Sequence, residues 1–555
     1  MGHDRFIEKE NQMIKYILCL TKGFRIRIIV SATAGIMRVM ASLAFVALSK
    51  RAVDIATDQT EGNLTSYTIG LVLALLIELI CSSLGNRNTE LSEAKMKNSL
   101  QEHLFSRMLT TTWTGQERYH SGDSLSRLTE DCRVAAECLC RTIPTVIIAL
   151  FQLVGAFIFL WYFSPTLAII LFLILPTFIF AGKLFYRKVR ILTQRIRSIE
   201  SRLHEQMQES LQHRILLITC RQTTRTINMI RALHGSRYSF ICKHTNFTVY
   251  SKAAVIAGFE SGYLAAFLWG LAGLRKGTIS FGMMTAYLQL AGQIQRPIAE
   301  LARLLPVIIQ SHTAFSRIAE IEQLPIENDE AASKSTENLP PAGIAFRNVT
   351  FVYPNNHKIL FSHFSHIFPP GSRTAIMGET GVGKSTLLRL ILALLKPQEG
   401  EIELFRIENG NRFEEKVSAS TRSQIVYVPQ GNSLLSGTIR QNLRIGKPDA
   451  TEEEMKEALY NAAADFVFEL KYGLDTPCGE LGNGLSEGQA QRIAIARGLL
   501  RSGTILLLDE ISASLDEATE TLLMQRLTQV CSFHTILLVT HRTSVLPYFD
   551  NIIKL

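Results

Sequence analysis

The chain has 555 residues, of which 47% are hydrophobic and only 19% are charged, and its formal net charge at pH 7 is +9. Soluble globular chains usually carry about 25% charged residues. This composition therefore excludes an ordinary soluble enzyme as well as a disordered or fibrous chain. The nine cysteines are scattered and form no C-x-x-C pair, which excludes a disulfide framework and a zinc ribbon as organising features.

Six long apolar segments occupy the first 310 residues, and most reach the ~20 residues that a helix needs to cross a bilayer. They lie near residues 26–48, 66–84, 143–162, 165–186, 253–273 and 279–306. Ser164-Pro165 separates the third from the fourth, which predicts two spans joined by a tight turn. Six such lengths in series disfavour the alternative of buried core helices in a soluble protein.

Positive charge is concentrated in this apolar part of the chain. The first 342 residues hold 37 basic and 26 acidic side chains, whereas the remainder holds 21 and 23. A basic excess beside hydrophobic spans is typical of membrane topology, so we expect no nucleic-acid partner. Residues 187–252 carry 13 Lys or Arg and 3 Asp or Glu. The positive-inside rule therefore places this insertion, the insertion at 85–142 and both termini in the cytoplasm. We expect both insertions to be helical extensions of the spans.

Residues 322–342 are polar and contain three prolines, which is the composition of a linker. Beyond them, short strands rich in Val, Ile and Leu alternate with helical stretches, as in an α/β domain with a largely parallel sheet. The predicted fold class is multidomain. An all-α polytopic membrane domain of six transmembrane helices, with cytoplasmic extensions, occupies residues 1–321. An α/β domain occupies residues 343–555.

A glycine-rich turn early in the α/β domain matches the pattern GxxxxGK[ST], between a strand-like and a helical run. Glycines let backbone N–H groups close around phosphates. Lys384 is expected to reach the β- and γ-phosphates, and Ser385 to offer its hydroxyl to Mg²⁺. The predicted ATP-binding residues of this P-loop are Gly378, Glu379, Thr380, Gly381, Val382, Gly383, Lys384, Ser385 and Thr386.

A second element of ATP chemistry follows 125 residues after Lys384, where the apolar strand 505–508 ends in Asp509 and Glu510. Asp509 is placed to bind Mg²⁺ directly or through water. Glu510 comes next and is the candidate general base for the attacking water. An acidic pair on a strand end can be a plain surface feature, but the P-loop upstream favours the catalytic interpretation.

The pentapeptide 485–489, Leu-Ser-Glu-Gly-Gln, lies between these two motifs and precedes a helical run. It resembles the LSGGQ signature of the ATP-binding cassette (ABC) superfamily, although Glu487 replaces a glycine. The resemblance implies that Ser486, Gly488 and Gln489 close over ATP held by the P-loop of a partner cassette. We expect the Glu487 side chain to point away from the nucleotide, because a carboxylate near phosphate would be repelled.

The same resemblance assigns three further residues. Tyr353 matches the aromatic residue that stacks on adenine, although an isolated tyrosine at a strand end would be interpreted as core. Gln430 matches the Q-loop glutamine, which contacts Mg²⁺ and water. His541 matches the switch histidine, which contacts the γ-phosphate. The predicted catalytic residues are therefore Glu510, His541 and Gln430, and the predicted metal-binding residues are Ser385, Gln430 and Asp509.

Spans that precede the cassette on one chain resemble a type IV exporter half-transporter, and residues 119–131 resemble its first cytoplasmic coupling region. The resemblance implies an ATPase that dimerises, as a homodimer or with a different half-transporter, with ATP and Mg²⁺ as cofactors. It implies outward transport of a lipid, a peptide or an amphipathic small molecule, across the inner membrane if the source is bacterial. The alternative is an ATP-gated channel or a regulatory subunit with little transport of its own.

Three charged residues, Arg38, Glu78 and Glu260, lie inside apolar segments. Such residues are expensive in lipid and usually face a cavity or a partner. Two interpretations remain open: contact with a charged substrate or proton, or an interhelical pair or a position beyond the lipid headgroups. The sixth segment also contains three glutamines that could line a cavity, at positions 289, 293 and 295.

Overall fold

The computed structural model describes residues 22–113, 121–327, 339–353, 359–379, 381–479, 484–531 and 534–555, except for the side chains of 121, 172 and 174–187. The chain divides into two compact units. Among the described residues, the first unit contains 22–106 and 121–323, and the second contains 107–113 and 324–555. Residues 107–113, which the sequence-based boundaries assign to the first domain, therefore group with the second unit.

The first unit is built from long helices. They are α1 (Arg25–Ala56), α2 (Leu64–Thr110), α3 (Gly122–Phe163), α4 (Pro165–Gln212), α5 (Thr223–Arg275) and α6 (Phe281–Glu322). Within the described part of the chain, α1, α2, α3 and α5 are long and apolar enough to cross a membrane. Helices α4 and α6 cover the other two predicted spans. Glutamines and Arg296 interrupt the apolar character of α6.

The polar insertions extend these helices, as the sequence predicts. Helix α3 contains two π-helical turns, Arg127–Asp131 and Cys138–Thr142, and a short helix, Arg214–Thr219, separates α4 from α5. The turn between α3 and α4 consists of Ser164, whose hydroxyl accepts a hydrogen bond from the Leu167 amide at 3.4 Å. Pro165 is tolerated as the first residue of α4 because the first helical N–H has no intrahelical partner.

The second unit contains two sheets. The antiparallel sheet has the order β2-β1-β4-β5, from β1 (Gly343–Val352), β2 (Ile359–Phe368), β4 (Glu399–Glu408) and β5 (Asn411–Lys416). The parallel sheet has the order β11-β3-β10-β9-β6, from β3 (Arg373–Met377), β6 (Ile425–Val428), β9 (Ile505–Asp509), β10 (Thr535–Val539) and β11 (Asn551–Lys554). Strands β7 (Gly437–Thr438) and β8 (Pro477–Cys478) form a small separate pair.

Helices surround the parallel sheet and bury its faces. They are α7 (Lys384–Ile391), α8 (Ile439–Arg444), α9 (Glu452–Asn461), α10 (Glu487–Leu499) and α11 (Glu517–Val530). Every residue of β9 and β10 is buried, as expected for central parallel strands covered on both faces. The P-loop, Gln430, Asp509 and His541 all follow or end strands of this sheet, so they meet at its carboxyl edge, where ligands of open α/β sheets bind.

Candidate nucleotide-binding site

The P-loop joins β3 to α7 through glycines with left-handed backbone. The φ angles are 87° at Gly381 and 114° at Gly383, a region that glycine enters without steric cost. A Cβ on Gly383 would also lie 3.1 Å from Leu360. The helix begins directly afterwards at Lys384, so its free N–H groups face the loop. Thr380 lies outside the described residues.

Lys384 folds back across this loop and is 6% exposed. Its ammonium donates hydrogen bonds to the carbonyl oxygens of Gly378 at 2.8 Å and Glu379 at 3.0 Å. Loop carbonyls thus solvate the buried charge, which would be costly without partners. This arrangement holds a positive charge beside the N-terminus of α7, where an anion is stabilised.

Asp509 ends β9 and is 4% exposed. The Tyr427 hydroxyl donates a hydrogen bond to Oδ2 at 3.4 Å, while Oδ1 has no hydrogen-bond partner among the described residues. Burial raises the pKa of Asp509, and the neighbouring Glu510 charge raises it further. The nearby Ser385 hydroxyl acts to lower the pKa of this carboxyl. Burial also raises the pKa of Tyr427 to about 12, so its phenol stays protonated as a donor.

Glu510 brings the three predicted catalytic residues together. Nε2 of Gln430 donates a hydrogen bond to Oε2 of Glu510 at 2.8 Å, and Nε2 of His541 lies 2.9 Å from Oε1. The Glu510 backbone is left-handed, with φ of 49°, which is uncommon outside glycine and typical of functional sites. The backbone N–H of Glu510 donates a hydrogen bond to the Val539 carbonyl at 3.0 Å, and this contact fixes the turn after β9.

Tyr353 follows β1 and is half-buried. Its hydroxyl shares a hydrogen bond with the Thr386 hydroxyl at 3.0 Å, and Arg389 donates to it at 3.4 Å. The ring also makes an edge contact with Phe351, at 5.1 Å between centroids. Tyr353 therefore joins the P-loop helix to the antiparallel sheet, which places an aromatic ring close to Thr386.

The signature residues form the first turn of α10. The Ser486 hydroxyl accepts from the Gln489 amide at 3.2 Å, and the Gln489 side chain accepts from the Ser486 amide at 2.9 Å. These two reciprocal hydrogen bonds form a capping box at the start of α10. The S-x-x-Q spacing is its sequence signature, but the capping box was not predicted from the sequence. Glu487 is exposed. A Cβ on Gly488 would lie 2.9 Å from the Ser514 carbonyl oxygen.

Arg542 is a site residue that sequence reasoning missed. It follows His541 and donates hydrogen bonds to the Leu515 carbonyl at 2.9 Å and the Ala513 carbonyl at 3.1 Å. These carbonyls belong to the segment 513–516, which follows Glu510 in the chain. Arg542 thus links the two turns that follow β10 and β9. The position of Arg542 directly after the switch histidine was the feature of the sequence that could have identified it.

A second missed feature joins residues 107–113 to the cassette. The backbone N–H of Thr112 donates a hydrogen bond to the Pro325 carbonyl at 3.1 Å, and the N–H of Glu327 donates one to the Thr110 carbonyl at 2.8 Å. The two segments therefore pair as a short β-bridge. Beyond this pairing, the guanidinium of Arg389 lies 6.0 Å from the centre of the Trp113 ring. The same guanidinium contacts Tyr353.

Glu327 anchors this bridge to the P-loop helix. Arg422 binds the Glu327 carboxylate with both terminal nitrogens, at 2.6 Å each, which is the strong bidentate geometry. The same guanidinium donates to the Leu392 carbonyl at 2.7 Å and the Ala393 carbonyl at 3.1 Å. Arg422 therefore satisfies carbonyls at the C-terminal end of α7 while holding the start of the linker.

Comparison with known families identifies both units. The model of the ABC transporter transmembrane region matches residues 28–298, and the ABC transporter model matches residues 361–513. The chain belongs to the ABC transporter family. In this ABC transporter, the helical unit is the membrane domain and the α/β unit is the ATP-binding cassette, so the predicted fold class is confirmed.

Relatives and a solved structure agree with this assignment. The transporter is 27% identical to the alpha-hemolysin translocation ATP-binding protein HlyB of Escherichia coli O157:H7, over 88% of this chain and 69% of the relative. It is 28% identical to the uncharacterized ABC transporter ATP-binding protein YknV of Bacillus subtilis, over 82% and 75%. The fold matches that of a bacterial Atm1-family ABC exporter with ATP bound, with a TM-score of 0.78, 23% identity and coverage of 96% and 93%. These findings confirm an ATPase of the type IV exporter half-transporter class.

Proposed function

We propose that two copies of this exporter chain form a homodimer that hydrolyses ATP at two shared sites and moves an amphipathic molecule outward. The main support for ATP hydrolysis is that the Gln430 and His541 side chains each contact one carboxylate oxygen of Glu510. One chain carries the P-loop, the carboxylate pair, the switch histidine and the signature. Identical copies would therefore need no other subunit to build both sites.

In the proposed reaction, water attacks the γ-phosphorus of ATP, and Glu510 accepts a proton from that water as the general base. The P–O bond to ADP breaks as the new P–O bond forms, which releases ADP and phosphate. Gln430 and His541 hold the carboxylate in one orientation, which reduces the reorganisation that proton transfer requires. Lys384 and the N-terminus of α7 stabilise the negative charge of the phosphates.

The residues at Asp509 fit a magnesium ion. Asp509 offers a buried carboxylate oxygen that no described residue hydrogen-bonds, and Ser385 supplies a hydroxyl beside it. Oxygen ligands of this kind suit Mg²⁺, which keeps several waters and substrate phosphate oxygens in its shell. Ser385, Asp509 and the amide oxygen of Gln430 would hold the ion, which supplies charge neutralisation at the phosphates.

The remaining predicted residues take binding roles in this proposal. Tyr353 would stack on adenine beside the P-loop. Ser486, Gly488 and Gln489 would close over the nucleotide held by the other copy, with the N-terminus of α10 directed at its phosphate. Closure of the cassettes around ATP and their release after hydrolysis would alternate the access of the membrane domain.

The cassette would lie in the cytoplasm, because the basic insertion 187–252 indicates the inner side of the membrane. In a bacterial cell that membrane is the inner one. A regulatory subunit or ATP-gated channel has less support, since such a protein does not need an ordered general base. The contacts of Glu510 therefore favour a pump.

The test is ATP hydrolysis by the chain expressed alone, purified and placed in lipid, beside the Glu510→Gln variant. We expect steady phosphate release that falls by about a hundredfold or more in the variant, with ATP binding retained. The matched control is Glu453→Gln, an exposed carboxylate on α9 away from the nucleotide-binding residues, which should leave the rate within about twofold. A folded wild-type chain without activity would contradict the homodimer and indicate a different partner chain.

A further inference from the structure

A polar cavity of 390 Å³ lies within the membrane domain, between helices α1, α2, α3 and α6. Its volume falls in the range of small-molecule sites. The charged residues that line it are Arg38, Glu90, Arg141, Glu300 and Arg303. Ser31, Asn86 and Thr145 add hydroxyl and amide groups, and Ile148 and Leu304 add apolar surface.

The guanidinium groups of this cavity differ in their partners. Arg141 binds Glu90, and its Nε lies 3.1 Å from Oε2 of Glu93. Arg38, Arg303 and Glu300 form no salt bridge or side-chain hydrogen bond with any residue in the described part of the chain. Counted over the described residues, the cavity thus contains two positive charges and one negative charge that have no salt-bridge partner.

The position of Arg38 makes an unpaired charge unusual. It lies 13 residues after the start of α1 at Arg25, roughly 20 Å along the helix, and its neighbours in the sequence are apolar. Charged residues within membrane helices are expensive and usually mark a substrate or ion path. Guanidinium groups prefer phosphate and carboxylate oxygens, which they bind in a bidentate manner.

We propose that this cavity binds the anionic group, a phosphate or carboxylate, of an amphipathic substrate. Arg38 and Arg303 bind the anion, and Ile148 and Leu304 contact its apolar part. Glu300 opposes the binding and limits affinity, which favours release during transport. This inference rests on the proposed export function and adds a substrate class to it. The same group can belong to a phospholipid or to a free amphipathic anion.

The experiment measures binding of octyl phosphate and octanol to the full nucleotide-free chain in phosphatidylcholine nanodiscs, by titration calorimetry. We expect octyl phosphate to bind at least about tenfold more tightly than octanol. Arg38→Gln and Arg303→Gln should each remove about this tenfold preference, whereas Glu300→Gln should strengthen octyl phosphate binding several-fold. Arg27→Gln, a change on α1 outside the cavity, is the matched control and should bind like wild type.

A conservative variant and a competing lipid complete the binding experiment. Arg38→Lys keeps the charge and should retain binding within about fivefold, which separates loss of the site from loss of the fold. Phosphatidylglycerol in the nanodiscs should displace octyl phosphate if the occupant is a lipid headgroup and should leave it bound if the occupant is a free anion. Equal binding of the two probes, or Arg38→Gln and Arg303→Gln variants that both bind like wild type, would overturn the proposal. Because no ATP is present, this outcome is independent of the hydrolysis test.

Discussion

Nε2 of His541 lies 2.9 Å from Oε1 of Glu510, and the opposite oxygen of that carboxylate accepts from Gln430. The two neighbours follow β10 and β6, which flank β9 in the sheet. The carboxylate is therefore held from both sides by rigid strands. A group that is already oriented needs little rearrangement when it accepts a proton.

His541→Ala should lower the rate of ATP hydrolysis by about a hundredfold, because it frees one oxygen of the carboxylate. The double variant with Glu510→Gln should be no slower than Glu510→Gln alone, since both changes disable the same group. Phosphate release by the three variants measures this, with ATP affinity checked separately. Additive losses would show that His541 acts independently of Glu510.

Asp509→Asn should raise the melting temperature of the nucleotide-free protein and abolish magnesium-dependent hydrolysis. Burial raises the pKa of Asp509 in the folded state, so ionisation disfavours folding and stability falls as pH increases through the ordinary Asp range and above. A neutral asparagine removes that cost. Melting curves between about pH 3 and 8, with and without Mg²⁺ and ATP, check both parts, because this range spans the ordinary Asp pKa of about 3.9. A lower melting temperature in the variant would contradict the expected direction of the stability change.

Tyr353→Ala should weaken ATP binding by about tenfold or more, because an aromatic face contributes ~1–3 kcal/mol to base stacking. Tyr353→Phe keeps the ring and loses only the hydrogen bond to Thr386, so its affinity should fall less than about fivefold. Equilibrium binding of a fluorescent ATP analogue compares the two. If phenylalanine is as damaging as alanine, the hydroxyl contact and not the ring is what matters.

Glu327→Gln should loosen the bridge between residues 110–112 and 325–327. The change removes one charge from the bidentate pair with Arg422, whose net contribution at this partly exposed position is about 1 kcal/mol. Hydrogen exchange at the amides of Thr112 and Glu327 should then accelerate about fivefold. Mass spectrometry of the corresponding peptides measures it. Glu453→Gln, on the exposed side of α9, should leave both rates unchanged, and unchanged rates in Glu327→Gln itself would contradict the anchoring role of Arg422.

The order of the elements and the position of each motif were predictable, because they depend on local patterns. Periodicity and composition locate the long helices, and glycine spacing locates the turn that ends at Gly383. The S-x-x-Q spacing at Ser486 was equally local and would have predicted its capping box. Four of the six predicted apolar segments lie on helices that, in the described part of the chain, are long and apolar enough to cross a membrane, whereas α6 is more polar than a simple span.

Contacts between distant parts of the chain were not predictable from the pattern. Arg422 and Glu327 are 95 residues apart, and Trp113 and Arg389 are further apart still. Nothing in the residues near Trp113 distinguishes an arginine partner from solvent. The left-handed backbone at Glu510 likewise depends on how β9 and β10 are joined, which a single strand does not reveal. Pairings of this kind are set by tertiary packing.

The grouping of residues 107–113 with the cassette has a consequence for the order of synthesis. The ribosome completes this segment long before Arg389 or Glu327 exists. At about 5–20 residues per second, the wait for those partners is on the order of 10 to 60 s. During that interval the amides and the indole ring of the segment lack their final contacts. A cassette expressed without this segment would lack the same contacts permanently, so the cassette of this exporter is continuous in space but not in sequence.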